Sequence, residues 1–239
     1  MEASIIKKKM IIDSEYEEIR IIYRFVGMVG YRYHKNFLNE RETSNLYDLC
    51  ESYSFIEYPY RGKTLTRSPK IEFKTNENIG VYRFGQETNA YSLVNNYMPD
   101  IFINILEKIN DPNINYVTVI KYNDGKRHHI PWHSDKQEGT ISAGAKDIAG
   151  GTNIYNINVF SGSNRLFQVA KPENINGKIA NVYEFNKRMK NGSMFVLSSS
   201  GNKNMKHQVP KEKNWNGCRY SIVLRSIKEW RVNDSRAGV

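Results

Sequence analysis

The first residues in the chain that could do chemistry together are a histidine and an aspartate two positions apart, His133 and Asp135. On a β-strand, residues two apart point to the same face, so this imidazole and this carboxylate can reach one point. A nitrogen ligand and an oxygen ligand together suit a divalent ion of intermediate hardness. Because such a short motif also arises by chance, the pair alone indicates little.

A third ligand would strengthen the case for a metal site, and four histidines are candidates: His34, His128, His129 and His207. His34 precedes the region of predicted strands, and the two adjacent histidines share a chain segment with the pair. His207 follows a later predicted strand and can approach from a neighbouring strand. Two histidines and one carboxylate leave three coordination positions open, as in non-haem iron(II) oxygenases, whereas a structural zinc site would use four protein ligands.

The second chemical feature is a predicted strand with an arginine at each end, residues 219–225. Its odd-numbered positions share one face, which carries Arg219, Ser221 and Arg225. If that face is interior, each buried guanidinium needs an anion, and a short dicarboxylate could lie between the two. In the alternative, the arginines face outward and the even-numbered apolar residues face inward. The pattern alone favours neither.

Two helices are predicted upstream of these residues. Residues 39–53 contain a capping box, Asn39 with Glu42, followed by an apolar stripe. A second helix is predicted from Pro99, a favoured first helical position, to about Ile109, where its apolar face ends.

Beyond Val117 the hydrophobic period changes to two, which predicts short strands. The predicted strands are residues 117–122, 154–160, 166–169, 179–185, 193–197 and 219–227. Asn176-Gly177 predicts a hairpin turn between two of them. Many short strands after two helices predict a mainly β (α+β) fold, with a sandwich or barrel core and helices packed outside it.

The composition indicates a folded globular protein, since 239 residues with 39% hydrophobic content can form one sizeable domain. Two cysteines, Cys50 and Cys218, cannot make a disulfide framework and suit a reducing compartment. The apolar run after Lys7–Lys9 is too short for a signal peptide, and no later stretch approaches membrane-spanning length. A soluble intracellular protein, cytoplasmic or nuclear and monomeric, is therefore expected.

The net charge of the chain indicates which class of binding partner to expect. Lysine and arginine outnumber aspartate and glutamate by 35 to 25, a formal net charge of +10. A surplus of this size favours a polyanionic partner, nucleic acid first, although it could serve solubility alone. Tyrosines lie among the basic residues and could stack on bases or be half-buried sheet residues.

Taken in order, His133-Ser134-Asp135, His207 and the strand 219–225 resemble the AlkB family of nucleic-acid dealkylases. That family shows His-x-Asp, a distal His and an Arg-x-Asn-x-Thr-x-Arg strand. The resemblance runs from residue 31 to residue 227. Further segments that resemble the family are Tyr82-Arg83-Phe84-Gly85 and Ala90-Tyr91-Ser92, similar to its nucleotide-recognition lid, and residues 160–167, similar to its Ser-x-Gly-x-x-Arg-x-Phe strand pair.

The resemblance implies a double-stranded β-helix (jelly roll) preceded by a nucleotide-recognition lid. The corresponding divisions of a single domain are residues 1–30 as an N-terminal extension, 31–116 as a helical and lid region, 117–228 as the catalytic core and 229–239 as a tail.

The resemblance also implies the cofactor set. Fe(II) would be bound by His133, Asp135 and His207, and dioxygen and 2-oxoglutarate would be consumed. Arg219 would hold the distal carboxylate of 2-oxoglutarate with help from Tyr122, while Arg225 would lie nearer the metal end and Ser221 between them. The implied reaction hydroxylates the N-alkyl carbon of a base in DNA or RNA, and the product releases an aldehyde, as in DNA repair or RNA demethylation.

For the substrate, the resemblance implies contacts from lid residues and from residues near the metal: Tyr82, Arg83, Phe84, Tyr91, Trp132, Gln137 and Arg165. The chain also departs from the family. Ser221 and Val223 replace its Asn and Thr, and Ile120 stands where many members have an Asn that touches 2-oxoglutarate. Gln137 stands at an often acidic position, and residues 139–152 form a predicted loop that resembles an insertion.

Two alternatives stay open. The same metal centre could act on a protein or a small molecule, although the basic charge and the lid resemblance argue against this. A non-catalytic nucleic-acid-binding module could have kept the fold, although the complete His–Asp–His set and both arginines argue against that.

Overall fold

The computed structural model describes residues 16–18, 30–55, 59–60, 63–66, 69–75, 79, 93–95, 97–135 and 148–228. The predicted lid residues, Gln137 and loop residues 139–147 lie outside these ranges. The helices within them are α1 (Glu40–Glu51), α2 (Asp100–Ile109) and α3 (Ser199–Asn204).

The strands within these ranges are β1 (Tyr16–Glu18), β2 (Tyr31–His34), β3 (Pro59–Tyr60), β4 (Lys63–Thr66), β5 (Lys70–Lys74), β6 (Leu93–Asn95), β7 (Tyr116–Tyr122), β8 (Ile130–His133), β9 (Ile154–Gly162), β10 (Leu166–Ile175), β11 (Lys178–Arg188), β12 (Ser193–Leu197), β13 (Lys206–Val209) and β14 (Gly217–Arg225).

Two sheets form the core. The major sheet has the order β1-β2-β12-β9-β14-β7-β5-β6 and the minor sheet the order β11-β10-β13-β8, while β3 and β4 pair separately. Pairing is antiparallel except between β5 and β6. Phe167 and Phe185 of the minor sheet each lie 5.1 Å, between ring centroids, from Phe195 of the major sheet. The predicted mainly β jelly roll is confirmed.

Both predicted helices are present. Asn39 caps α1, its side chain accepting from the Glu42 amide at 2.9 Å while its own amide donates to the Glu42 carboxylate at 2.8 Å. The start of α2 differs by one residue from the prediction, because Pro99 is the N-cap and not the first helical residue. Proline suits both places, since neither requires its missing N–H.

The six predicted strands are also present, several with longer bounds. β10 and β11 form a hairpin in which Ile175 pairs with Lys178. Its turn residues Asn176 and Gly177 have φ angles of 52° and 80°, the positive values that a type I′ turn requires. Ile227 lies beyond β14 but bridges Ile148, so the described end of the predicted 139–152 loop is held against the core.

Helices α1 and α2 cover one face of the major sheet, and the minor sheet faces the other. The helix-covered core contains Leu46 of α1 and Phe102 of α2, packed with Ile222 and Leu224 of β14. The core between the sheets contains Val223 of the same strand. β14 is therefore buried on both faces, with its odd-numbered residues, including both arginines, on the interior side.

Candidate metal centre

The three candidate metal ligands lie together on the minor sheet. His133 of β8 is directly paired with His207 of β13, and Asp135 follows β8 by two residues. Asp135 Oδ1 lies 3.5 Å from His133 Nε2 and 3.7 Å from His207 Nε2. One ligand atom from each residue therefore falls within 4.8 Å of the others, a spacing that a single metal ion could bridge.

The two oxygens of Asp135 have different surroundings. Oδ2 accepts from Arg225 Nε at 3.2 Å and from Nη2 at 3.1 Å. Oδ1 faces the two imidazoles and, among the described residues, has no hydrogen-bond partner. Burial by itself would raise the pKa of Asp135, but the Arg225 guanidinium and the imidazoles outweigh it and hold that pKa well below its ordinary value. Asp135 is therefore charged, and Oδ1 is the oxygen that it directs at the two imidazoles.

The backbone of Asp135 is fixed by a reciprocal pair of hydrogen bonds to one buried side chain. The Asp135 amide donates to Asn202 Oδ1 at 2.9 Å, and Asn202 Nδ2 donates to the Asp135 carbonyl at 3.0 Å. Asn202 belongs to α3, which begins just after β12. This short helix therefore sets the position of the carboxylate relative to the two strands that carry the histidines.

Both imidazoles can present a nitrogen lone pair. His133 Nδ1 lies 2.8 Å from the Pro131 carbonyl, so a proton on Nδ1 would donate there and leave Nε2 as the acceptor. Burial and the neighbouring His133 lower the pKa of His207 to about 3, which keeps it neutral at physiological pH. Neutral imidazole is the form that binds a metal.

A cavity between the sheets adjoins these ligands. Three of the four predicted cosubstrate residues, Tyr122, Ser221 and Arg225, line it together with the metal-ligand candidates. The remaining wall is mostly apolar: Ile120, Ile130, Ile154, Phe167, Phe195, Leu197, Val209 and Val223. The cavity is thus lined mainly by apolar side chains, and its charged groups are confined to the end near the metal-ligand candidates.

The fourth predicted cosubstrate residue, Arg219, lies beside Tyr122 and is fully buried. Its Nε and Nη2 donate to Asn158 Oδ1 at 2.8 and 2.5 Å, and its guanidinium carbon lies 4.9 Å from the Tyr122 ring centroid. Among the described residues, Nη1 has no hydrogen-bond partner. Burial lowers the pKa of Arg219 to about 10, so it remains a cation at neutral pH.

Asn156 and Asn158 of β9 are polar residues of the interior that the sequence interpretation missed. Ser221 Oγ donates to Asn156 Oδ1 at 2.9 Å, and Asn156 lines the cavity. The signal was present, because two asparagines two positions apart in an otherwise apolar strand must share one face. They lie beside Ser221, one of the positions where the sequence departs from the AlkB pattern.

Two of the predicted substrate residues lie away from the cavity. Trp132 neighbours His133 on β8 but packs against Tyr183, with 5.8 Å between ring centroids. Because alternate residues of a strand face opposite sides, its ring lies on the outer face of the minor sheet.

Arg165 is the second predicted substrate residue outside the cavity lining. It is fully buried, and its Nη2 donates to the carbonyls of His128 and Pro210 at 3.1 and 2.7 Å. Its Nε lies 3.4 Å from Glu212, and its guanidinium stacks 4.6 Å from the Trp215 ring centroid. These contacts hold the start of β10 against the segment that precedes β8 and the segment that follows β13. Arg165 therefore has a structural role.

The described part of the chain contains no helix long and apolar enough to cross a bilayer.

No protein-family model matches the chain, and no curated protein matches it. Among solved structures, the fold resembles that of OsALKBH1, with a TM-score of 0.49 and 15% sequence identity over 82% of this chain and 97% of that chain. At this TM-score and identity, the likeness does not show a shared activity or substrate.

Proposed function

We propose that the chain is an iron(II)- and 2-oxoglutarate-dependent oxygenase that removes N-alkyl groups from bases in DNA or RNA. The observation that carries the oxygenase part is Asp135 Oδ1, a buried charged oxygen that faces two imidazole nitrogens and has no hydrogen-bond partner among the described residues. Arg225 donates only to Oδ2, so Oδ1 is a buried anionic oxygen without a hydrogen-bond donor among the described residues, and a bound cation would offset the cost of burying it.

The ligand set fits iron(II) better than a structural zinc ion. The group contains two histidines and one carboxylate, and within the described ranges no fourth His, Cys, Asp or Glu side chain joins it. Structural zinc sites use four protein ligands, whereas two histidines and one carboxylate with open positions are the set of non-haem iron(II) oxygenases.

The environment of Arg219 supports a carboxylate cosubstrate. Its side chain is fully buried, and its described hydrogen bonds go only to the neutral amide oxygen of Asn158. A buried guanidinium without an anion is unfavourable, and arginine is well suited to a carboxylate. We therefore propose that Arg219 binds the distal carboxylate of 2-oxoglutarate beside Tyr122.

Arg225 has a different part in the proposed site. Two of its nitrogens donate to Asp135 Oδ2, and Nη1 donates to Thr118 Oγ1 at 3.1 Å. These contacts commit the guanidinium to the metal-ligand carboxylate, so Arg225 orients Asp135 and adds positive charge at the metal end of the cavity. Ser221 and Asn156, which line the cavity, would contact the middle of the cosubstrate.

Iron(II), 2-oxoglutarate and dioxygen together supply the oxidising chemistry that hydroxylates an N-alkyl carbon, after which the product releases an aldehyde and the dealkylated base. The chain contributes His133, Asp135 and His207 as ligands and Asn202 as the residue that fixes Asp135. The apolar walls of the cavity exclude water from the reacting groups.

Nucleic acid as the substrate is supported by the net charge of +10 and by the segments that resemble a nucleotide-recognition lid. A base in a duplex would have to be flipped out or presented on a single strand. Tyr82, Arg83, Phe84, Tyr91 and Gln137 remain the proposed substrate contacts.

Mass spectrometry of N-methylated DNA and RNA oligonucleotides incubated with the protein, iron(II) and 2-oxoglutarate tests this function. The expected result is demethylated oligonucleotide with release of succinate and formaldehyde, absent when 2-oxoglutarate is omitted and in a His133→Ala variant. Turnover with peptides only would favour a protein substrate. Steeply salt-dependent binding without turnover by the metal-loaded protein would instead indicate a binding module.

A further inference from the structure

We infer that Asn158 is a positioning residue that makes the cavity select a dicarboxylate, by holding Arg219 along one edge without neutralising its charge. The inference rests on the proposed function, because it takes Arg219 to meet the distal carboxylate of a 2-oxo acid. It assigns a role to a residue of β9 that belongs to none of the AlkB-like motifs in the sequence.

The contacts define which part of the guanidinium is held. Asn158 Oδ1 accepts from Arg219 Nε at 2.8 Å and from Arg219 Nη2 at 2.5 Å, so this one oxygen is bonded to both nitrogens on one edge of the guanidinium. Both residues are fully buried, and Asn158 is paired in the sheet with Ser221, two positions from Arg219 on β14. The remaining nitrogen, Nη1, has no hydrogen-bond partner among the described residues and can donate to a ligand.

The orientation of the amide follows from its other hydrogen bond. Asn158 Nδ2 donates to the Asn156 carbonyl at 3.3 Å. The oxygen must then face Arg219, since a guanidinium has only donors. The side chain is thus fixed at both ends, by backbone of its own strand and by the arginine it holds.

The charge of the partner is the second part of the inference. An amide accepts hydrogen bonds but carries no charge, so the Arg219–Asn158 pair keeps a net charge of +1 inside the protein. The charge of Glu212 also raises the pKa of Arg219, by less than Tyr122 does. Glu212 is itself paired with Arg165 and Arg188. A carboxylate at position 158 would complete an internal ion pair, and the arginine would then have little to gain from a ligand.

Isothermal titration of the Mn(II)-loaded 239-residue chain with two ligands tests this role. 2-Oxoglutarate carries the distal carboxylate, whereas 2-oxobutyrate has the same metal-binding 2-oxo acid end and lacks it. For Asn158→Asp, we expect the Kd of 2-oxoglutarate to rise about 10- to 100-fold, the size of one lost charge-assisted interaction. The Kd of 2-oxobutyrate should stay within about threefold of the unmodified value, because that ligand does not reach Arg219.

Thermal unfolding of the same proteins without ligand separates positioning from a purely structural effect. The Asn158→Asp protein should unfold at the same or a higher temperature, since Arg219 gains an anion. Asn186→Asp is the matched control, because Asn186 is an exposed acceptor in the minor sheet, bonded to Gln168 Nε2 at 2.9 Å. It should leave both dissociation constants unchanged.

If Asn158→Asp does not fold, Asn158→Ala takes its place. This variant frees the held edge of Arg219 and should still weaken 2-oxoglutarate binding more than 2-oxobutyrate binding. An unchanged ratio of the two dissociation constants in the folded variant overturns the inference and leaves the proposed function standing. Failure of the unmodified chain to bind either 2-oxo acid overturns the proposed function, and the inference with it.

Discussion

The two faces of the major sheet differ in what they bury, although the same strands supply both. Under α1 and α2, β14 contributes Tyr220, Ile222 and Leu224 to a core of almost wholly apolar side chains. On the opposite face the same strand contributes Arg219 and Arg225, which hydrogen-bond to buried polar groups. Burying charge costs stability unless each group is paired, so polar residues kept on a face that could be apolar indicate a function.

The side chains of the helix-covered face serve packing, and none of those that the structure describes belongs to the proposed site. Its residues fill space around Phe102 and Leu46, and any change there should alter stability without altering ligand binding. On the interior face, substitutions should alter ligand binding, and those that break a buried charge pair should lower stability as well.

The largest expected effect is at the proposed metal ligands, which line the cavity from the minor sheet and face the interior side of the major sheet. His207→Ala removes one of the three proposed ligands, so the visible charge-transfer band expected of the unmodified protein with iron(II) and 2-oxoglutarate, without oxygen, should disappear. Absorbance spectroscopy in an anaerobic cell measures this. A persisting band of unchanged intensity would mean that iron is bound elsewhere.

The next largest effect should come from Arg225→Met, which leaves the buried Asp135 carboxylate without its cation. Removing one partner of a buried ion pair typically costs about 3–5 kcal/mol. Urea unfolding of the metal-free variant should show a loss of that order, and added Mn(II) should restore part of it, because a bound cation again compensates the carboxylate. Full stability without metal would show that Asp135 is not stabilised by Arg225.

On the helix-covered face, Ile222→Ala should lower the free energy of unfolding by about 2–5 kcal/mol, because it leaves a cavity in a packed core. Its neighbours in β14 on the interior face keep their contacts, so 2-oxoglutarate affinity should remain unchanged while the protein is folded. Denaturant unfolding and ligand titration on the same sample check both parts. A large loss of affinity would show that the two faces are coupled.

The smallest effect should come from the edge of the helix-covered face. Asn39→Ala removes the α1 N-cap, with the loss of about 1 kcal/mol that such caps contribute. Thermal unfolding should show a slightly lower midpoint, and Asn39→Asp, which keeps the acceptor, should restore it. Equal midpoints for both variants would mean that the capping box contributes little here.

The sequence predicted α1, α2 and six of the fourteen strands in the described ranges, because the apolar periodicity of these elements is strong and local. It could not decide which way β14 faces, since a face that carries Arg219, Ser221 and Arg225 could lie in solvent or, where each guanidinium has a partner, in the interior. The short strands β8 and β13 carry the histidines but have too few apolar residues to stand out.

The site residues also divide into features that residue type and spacing can predict and features that depend on long-range contacts. His133, Asp135 and His207 could be proposed from residue type and spacing, but their meeting depends on the β8–β13 pairing, which is a long-range contact. The engagement of Arg165 by Glu212, Trp215 and two carbonyls could not be foreseen, because a motif names a residue and not its partners.

Burial of β14 on both faces has a consequence for how the chain can vary. Its even-numbered residues pack against the helices and its odd-numbered residues face the proposed cosubstrate site. Two independent sets of constraints therefore alternate along nine residues. Point substitutions can change one set at a time. Inserting or deleting a single residue within β14 would exchange the sets, sending arginines under the helices and isoleucine and leucine into the cavity. Relatives that share this function should therefore vary in the residues of β14 but keep its length.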